Sequence, residues 1–293
     1  MKYILTLLCA ILCYPVGYFV LDNHADKQIL VQQKQNSSPK SIEYSVGAYV
    51  INLDRSIGRY EYVKNTIYKL GLPLERISAV DGATLSPEQI KQVADLQSYN
   101  IFLAHAPERG TIGCSLSHIK AWQKFLDSNL DFAVIFEDDI SFEPEKLRST
   151  IDNLIENQTM WDIVSFEIHH RGMPLTIKSL SNGQNLVIYL TNVSHAGAYM
   201  LNRSAAEKLL AKALPIKMPI DHYFTRGWEL DIKFTGIEPR LVHQTFGQSD
   251  IAQTKTFNHD QKISLGYIQR ALYTIQSSLI RFIYNLKIYS QLI

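Results

Sequence analysis

Cysteine is scarce. The chain has three in 293 residues, at Cys9, Cys13 and Cys114, and two of them lie in the apolar N-terminus. One thiol is left for the folded body, which excludes an internal disulfide framework and a cysteine-built zinc site there. A charge excess is also missing. Lys plus Arg number 29 and Asp plus Glu 28, so the chain has no basic field of the kind a nucleic-acid binder shows. There is no internal repeat, no P-loop, no His-Glu-x-x-His and no dinucleotide-type glycine fingerprint after the first strand-like run. What is present is a chain with 46% hydrophobic residues, ample for a packed core.

The two ends differ from the middle. Ile4–Leu21 (ILTLLCAILCYPVGYFVL) carries no charge and has about the minimum length of a membrane-spanning helix. No small-x-small cleavage site follows it, so residues 1–21 read as an anchor in preference to a cleaved signal. Lys2 lies before it and Lys27 and Lys34 after it, so flanking charge does not set its orientation. Residues 22–45, rich in Gln, Ser and Lys, read as a polar linker, and residues 46–255 as the folded body. Residues 256–293 form a C-terminal amphipathic helical region. From Ser264 to Ile293 it has bases at Arg270, Arg281 and Lys287 and no acid. Two placements fit that pattern: packing on the core, or lying in a membrane interface with the bases toward anionic headgroups.

Between the ends, strand and helix signals alternate. GAYVINLD, LERISAVDG, DFAVIFEDD, MWDIVSFEI and SHAGAYML have strand composition, and IKFTGIEPRLVHQ reads as a late strand pair. Tyr60, Val63, Ile67 and Leu70 recur at helical spacing and Gly71 is a C-terminal stop. Ser86, Pro87 and Gln89 form an N-cap, a first-turn proline and a capping box. This alternation predicts an α/β protein with a mostly parallel central sheet flanked by helices. DFAVIF, apolar on both faces, is expected to be a central, buried, parallel strand.

That strand runs into Glu137, Asp138 and Asp139. In open α/β sheets ligands bind beyond the carboxyl ends of strands. Alternate residues there point the same way, so Glu137 and Asp139 converge while Asp138 orients the loop. Paired hard carboxylates suit Mg²⁺ or Mn²⁺, which would also relieve their repulsion. A solvated acidic turn before the helix at Pro144 is the plainer alternative.

Three blocks carry a family resemblance: YVINLDRSIGRYEYVKNTIYKLGLPLERISAVDG, GTIGCSLSHIKAWQKFLDSNLDFAVIFEDDISF and GAYMLNRSAAEKLLAKALPIKMPIDHYF. In this order, over roughly residues 48–250, the chain resembles glycosyltransferase family 25, which includes lipopolysaccharide and lipooligosaccharide galactosyltransferases. The resemblance implies a GT-A-type nucleotide-sugar transferase fold and a UDP-hexose donor, usually UDP-galactose. It also implies a divalent ion, Mn²⁺ or Mg²⁺, on a short acidic motif. Here the motif begins with Glu137 where an Asp is expected, which puts metal dependence in question.

The resemblance favours Asn52, Asp54 and Arg59 for the donor site, beside Arg55. It makes Asp81 and Gly82 a wall of the nucleotide pocket and draws Gly113, Ser117 and His118 toward it. Lys120 is a weaker candidate against the diphosphate. An inverting transferase needs one base at the acceptor hydroxyl. Asp221 is that candidate, with His222 beside it, and His243 is a candidate third metal or diphosphate ligand. Each has a structural alternative: a helix cap at Asp54 or Asp221, an Asp-Gly turn at Asp81, a satisfied core histidine at His118. The expected reaction is hexosyl transfer to a glycolipid or oligosaccharide acceptor, on the cytoplasmic face of the inner membrane, where UDP-sugars are made. A metal-dependent phosphohydrolase and a non-catalytic sugar-nucleotide-binding protein are the rivals.

Overall fold

The computed structural model describes residues 44–170, 172, 174–245 and 266–293. The expected anchor and nearly all of the linker lie outside the described residues, as does the 255/256 boundary. Tyr44 and Ser45 belong to the body: Tyr44 packs edge-on against Phe132, and Ser45 N donates to Asp131 Oδ2 at 2.8 Å. Among the described residues, no helix is long and apolar enough to cross a membrane.

The strands are β1 (Val46–Asn52), β2 (Leu74–Ser78), β3 (Phe132–Glu137), β4 (Ile140–Phe142), β5 (Ile163–Ser165), β6 (His169–His170), β7 (Pro174–Ser179), β8 (Asn185–Tyr189), β9 (Val193–Ser194), β10 (Ala198–Asn202), β11 (Phe234–Glu238) and β12 (Val242–Gln244). The helices are α1 (Ile57–Tyr68), α2 (Pro87–Val93), α3 (Leu96–Leu103), α4 (Arg109–Leu126), α5 (Pro144–Glu156), α6 (Arg203–Lys212), α7 (Ile220–Phe224), α8 (Gly227–Leu230) and α9 (Gly266–Leu292). Eight strands form the main sheet in the order β2-β1-β3-β10-β5-β11-β8-β7.

The α/β class is as the alternation predicts, and the sheet's directions refine it. β10 runs against both β3 and β5, and β8 runs against both β11 and β7, so the other six strands share one direction. β3 is central and wholly buried up to Glu137, but it is parallel only to β1. Its second neighbour, β10, is also almost wholly buried, so composition could not distinguish an antiparallel partner from a parallel one. The expected late strand pair is two strands that do not pair with each other. β11 joins the main sheet, the chain bends at Pro239, and β12 pairs with β4.

Both faces of the sheet are covered, which is why β1 and β3 are apolar up to their last residues, Asn52 and Glu137. Val46, Ala48, Val50, Val134 and Phe136 pack with Val63 and Ile67 of α1 and Leu147, Ile151 and Leu154 of α5. On the other face, Tyr49, Ile51, Ala133 and Ile135 meet Ala121, Trp122 and Phe125 of α4 and Ala205 and Leu209 of α6. Fully burying a side chain such as Phe136 contributes about 1.5–3 kcal/mol. These two layers fix the ends of β1, β2 and β3 side by side. α2 starts with the expected box: Ser86 Oγ accepts from Gln89 N at 3.2 Å and Gln89 Oε1 from Ser86 N at 2.8 Å.

Candidate active site

The parallel strands β1, β2 and β3 end together, and a pocket opens at their carboxyl ends. β1 contributes Asn52, β3 contributes Glu137 and the loop Asp138–Asp139, and the segment after β2 contributes Asp81 and Gly82. α4 supplies the far wall with Cys114, Ser117 and His118, and α1 reaches in with Arg59. Eight of the sequence candidates therefore share one cavity: Asn52, Arg59, Asp81, Gly82, Ser117, His118, Glu137 and Asp139.

Their parts differ. Asn52 is buried and its amide is fully engaged: Nδ2 donates to Asp138 Oδ2 at 2.6 Å and to Ser56 O at 3.0 Å, and Oδ1 accepts from Arg76 Nε at 2.9 Å. Arg59 Nη2 lies 2.7 Å from Asp138 Oδ1 and 3.0 Å from Asp139 Oδ2. Asp138 is thus the anchor of the acidic loop, held by an amide and a guanidinium. Asp139 gives its carbonyl oxygen to Thr245 N and Oγ1 at 2.7 and 2.8 Å, while its Oδ1 is buried with no hydrogen-bond partner.

Glu137 faces the helix wall. Its Oε1 is 3.3 Å from His118 Nε2 and 3.9 Å from Cys114 Sγ. His118 Nδ1 lies 2.8 Å from Tyr199 Oη, which accepts from Trp122 Nε1 at 2.8 Å. Indole N–H can only donate, so Tyr199 must accept from Trp122 and pass its own hydrogen to His118 Nδ1. A neutral His118 then carries its proton on Nε2 and donates to Glu137. Every group in this chain is satisfied only in that direction, which matters because Tyr199, Trp122 and His118 are fully buried.

The carboxylates respond to burial unequally. Burial pushes Glu137 up, but the His118 hydrogen bond, the electrostatic attraction of the His118 and His195 rings and the charge of Arg59 bring it below the usual glutamate range. Asp139 is pushed up to about 7, by burial first and then by the charge of Glu137, with Arg59 opposing. Glu167, buried one strand away, is also raised to about 7 by burial and by Glu137, although its Oε2 accepts from Gly197 N at 3.0 Å.

Two cation-binding sets are conceivable here. Cys114, His118 and Glu137 offer ligand atoms within 4.8 Å of one another. A metal on His118 Nε2 would leave the Tyr199 hydroxyl hydrogen without an acceptor, and burial holds the Cys114 thiol well above its ordinary value. Glu137 with the orphaned Asp139 oxygen is the better fit, and its oxygens suit a hard cation.

Other candidates fall elsewhere. Asp54 is exposed and turned away, accepting from Arg76 Nη2 and Ser78 Oγ at 2.7 Å each. These two hydrogen bonds, that from Ser78 first, hold its carboxyl below the ordinary range. Gly113 is a packing residue: a Cβ there would lie 2.6 Å from Gly82 N and from Val80 O. Its absence lets α4 approach the pocket loop closely enough for Ser117 Oγ to accept from Val80 N at 2.8 Å. His243 does not enter the pocket. Successive strand residues face opposite ways, so in β12 Gln244 borders the pocket while His243, on the other side of the strand, does not, although both are exposed. Lys120 donates to Ser78 O at 2.8 Å.

Asp221 opens α7, outside the residues that line the pocket. Its Oδ2 accepts from His195 N at 3.0 Å and its Oδ1 from His222 N at 2.9 Å. His195 feels both Asp221 and Glu137, so the two acids flank one region. The His222 ring meets Phe102 with centroids 5.1 Å apart, and its Nδ1 is buried without a partner.

Sequence reasoning missed Cys114, Tyr199, Glu167, His195 and Gln244. Arg55, which lines the pocket and pairs with Asp81, was legible because it follows a recognised strand end. The others come from helices and strands that only the folded topology brings near.

Comparison with known proteins adds a family. The model described as "Glycosyltransferase family 25 (LPS biosynthesis protein)" matches residues 46–224. Procollagen galactosyltransferase 2 of Homo sapiens is 28% identical over 217 residues, covering 67% of this chain and 34% of that protein. A Drosophila melanogaster protein named glycosyltransferase 25 family member is 32% identical over 187 residues, 60% of this chain and 29% of that protein. The chain thus spans about a third of the length of these relatives. Among solved structures, S. aureus TarS 1-349 matches with a TM-score of 0.40 and 14% identity over 69% of this chain and 60% of that one, too slight a likeness to argue from.

Proposed function

The chain belongs to glycosyltransferase family 25, and from that premise we propose that it transfers a hexose, galactose, from a UDP-sugar to a saccharide acceptor of a cell-envelope glycolipid, in lipopolysaccharide synthesis. Galactose is supported by the names of the procollagen galactosyltransferases, and the envelope acceptor by the family's description. The observation that carries the proposal is the meeting of three parallel strand ends on one pocket that holds Glu137, Asp139 and two guanidiniums, Arg55 and Arg59. We read the sheet as GT-A-type.

In this reading Arg55 and Arg59 supply the forked donors that suit a diphosphate. Glu137 and Asp139 are the residues that would hold Mn²⁺ or Mg²⁺, which when bound would offset charge on the departing UDP. The His118 donor keeps Glu137 ionised and fixed in direction. Asp221 takes the proton of the acceptor hydroxyl as its oxygen bonds to the anomeric carbon and the bond from that carbon to the UDP oxygen breaks. Two backbone N–H groups, of His195 and His222, hold Asp221 in place for this, with the His222 ring beside it. The acceptor is membrane-borne, with residues 1–21 as anchor, 22–45 as linker and the body on the cytoplasmic face.

A donor screen tests the proposal. UDP-glucose, UDP-galactose and their N-acetyl forms are each presented with and without Mn²⁺, and UDP release is followed with several envelope-derived acceptors. Release with UDP-galactose, dependent on acceptor, is expected. Silence with every donor and acceptor would remove the transferase reading.

A further inference from the structure

Helix α9 has two unlike faces. One is seated on the body: Tyr284 Oη donates to Ile232 O at 3.2 Å, Asn285 Nδ2 donates to Tyr189 O at 2.7 Å, and Ile288, Tyr289 and Leu292 pack against the core. The opposite face is apolar too. Ile268, Leu272, Ile275, Leu279, Phe282 and Leu286 follow one another at alternating steps of four and three and are 41–74% exposed. With Ile283 they form a stripe roughly 100° wide. A helix on a globular body normally turns such a stripe to the core, and a contiguous apolar patch left outside marks an interaction surface.

The charges say which surface. The segment from Ser264 to Ile293 has three bases and no acid. Lys287 is exposed on the flank of the stripe, while Arg281 turns inward toward Asn192 and Ser278. A second copy seated stripe to stripe would set bases near bases with no acid to pair them, and would leave Ile280 and Ile283 outside a two-in-seven seam. An anionic bilayer accepts the stripe together with the exposed Lys287. The apolar side chains enter the acyl boundary, and the Lys287 ammonium lies at the level of the anionic headgroups. The chain also carries the uncharged Ile4–Leu21, long enough to enter the same bilayer.

The helix adjoins the candidate acceptor side. Tyr273 of α9 meets Phe102 edge-on with centroids 6.2 Å apart, and Phe102 meets His222 at 5.1 Å. We propose that α9 lies in the headgroup boundary of an anionic bilayer, stripe inward, and brings Asp221 and His222 to the level of a lipid-linked saccharide. The binding stands without the transferase reading, and only the benefit to a lipid-linked acceptor rests on it.

The test uses the full chain. Phe282→Trp adds an indole on the stripe, read in phosphatidylcholine vesicles with brominated acyl chains, with and without phosphatidylglycerol. The added emission is expected to be quenched well beyond that of the parent's own tryptophans. Phosphatidylglycerol should deepen the quenching, and Lys287→Glu should abolish that increment. Quenching no greater than the parent's, or equal in both lipids, overturns the proposal. So does a lipid-free dimer that shields the added indole from iodide and dissociates on Leu279→Glu. A parallel assay separates the two readings. Leu272→Glu with Leu279→Glu should lower transfer to a vesicle-borne glycolipid at least tenfold and leave transfer to a soluble saccharide unchanged. If no donor is consumed with any acceptor, the transferase reading fails and the quenching result stands by itself.

Discussion

Trp122 has one polar hydrogen and nothing to accept with, and that single fact orders the wall of the pocket from Trp122 through Tyr199 and His118 to Glu137. Tyr199→Phe should therefore do two things. It leaves Trp122 Nε1–H and His118 Nδ1 buried and unpaired, an expected loss of about 2–3 kcal/mol in denaturant unfolding. It also frees His118 to turn from Glu137, which should weaken Mn²⁺ binding, read by electron paramagnetic resonance, by roughly 10–100-fold. A stability loss with unchanged Mn²⁺ affinity would make the relay purely structural. Glu167 gives a pH signature. Its folded carboxyl titrates at about 7, above the ordinary glutamate value, so the folded state holds the proton longer than the unfolded one. The sign follows: this group costs nothing below about pH 4, and it erodes stability as pH rises to about 7, by on the order of 3 kcal/mol in all. Glu167→Gln should flatten that part of the stability–pH curve and be more stable than the parent at pH 8, measured by chemical unfolding across pH. None of this was legible in the sequence. Tyr199 and Trp122 are 77 residues apart, and a tyrosine in an apolar strand reads as core.

At the scale of elements, legibility followed locality. The capping box at Ser86, the stop at Gly71 and the strand–helix alternation are written within a few residues of one another, and the structure has them. The acidic loop was visible because a buried strand ran straight into it. The reversed direction of β10 and the outward turn of His243 depend on pairings across the fold, between segments with no local mark of their partners. Glycines divide in the same way. Gly113 reads as an indifferent helix residue until α4 is seen against Val80 and Gly82. Gly113→Ala is expected to cost about 1–3 kcal/mol, because the atoms it meets are backbone and must move. It should also displace the pocket wall and weaken UDP binding in calorimetry. Gly58→Ala in α1 is the control. A Cβ there meets nothing within 4 Å, and stability should rise by about 0.5–1 kcal/mol with UDP binding unchanged.

For the whole molecule, the question is how α9 can be both part of the body and an apolar surface. Its inward face is structural. It caps the carbonyls of Tyr189 and Ile232, and Arg226, buried beneath it, reaches Ser277 Oγ at 3.2 Å. Truncation of the chain before Gly266 removes those partners and uncovers apolar surface around β7 and β8. The lost hydrogen bonds to the Tyr189 and Ile232 carbonyls and the burial of Ile288 and Leu292 by themselves amount to about 3 kcal/mol. In a chain of this size that predicts a fall in Tm of roughly 6–12 °C. Its outward face contributes nothing to the fold. Leu272→Glu and Leu279→Glu change side chains that are 63% and 41% exposed, so unfolding should stay within about 0.5 kcal/mol of the parent. Differential scanning calorimetry of the truncated chain and the double variant, both without lipid, separates the two faces. A large loss of stability in the double variant would show that the stripe is held against the body in solution, and the helix could not then offer it to a bilayer.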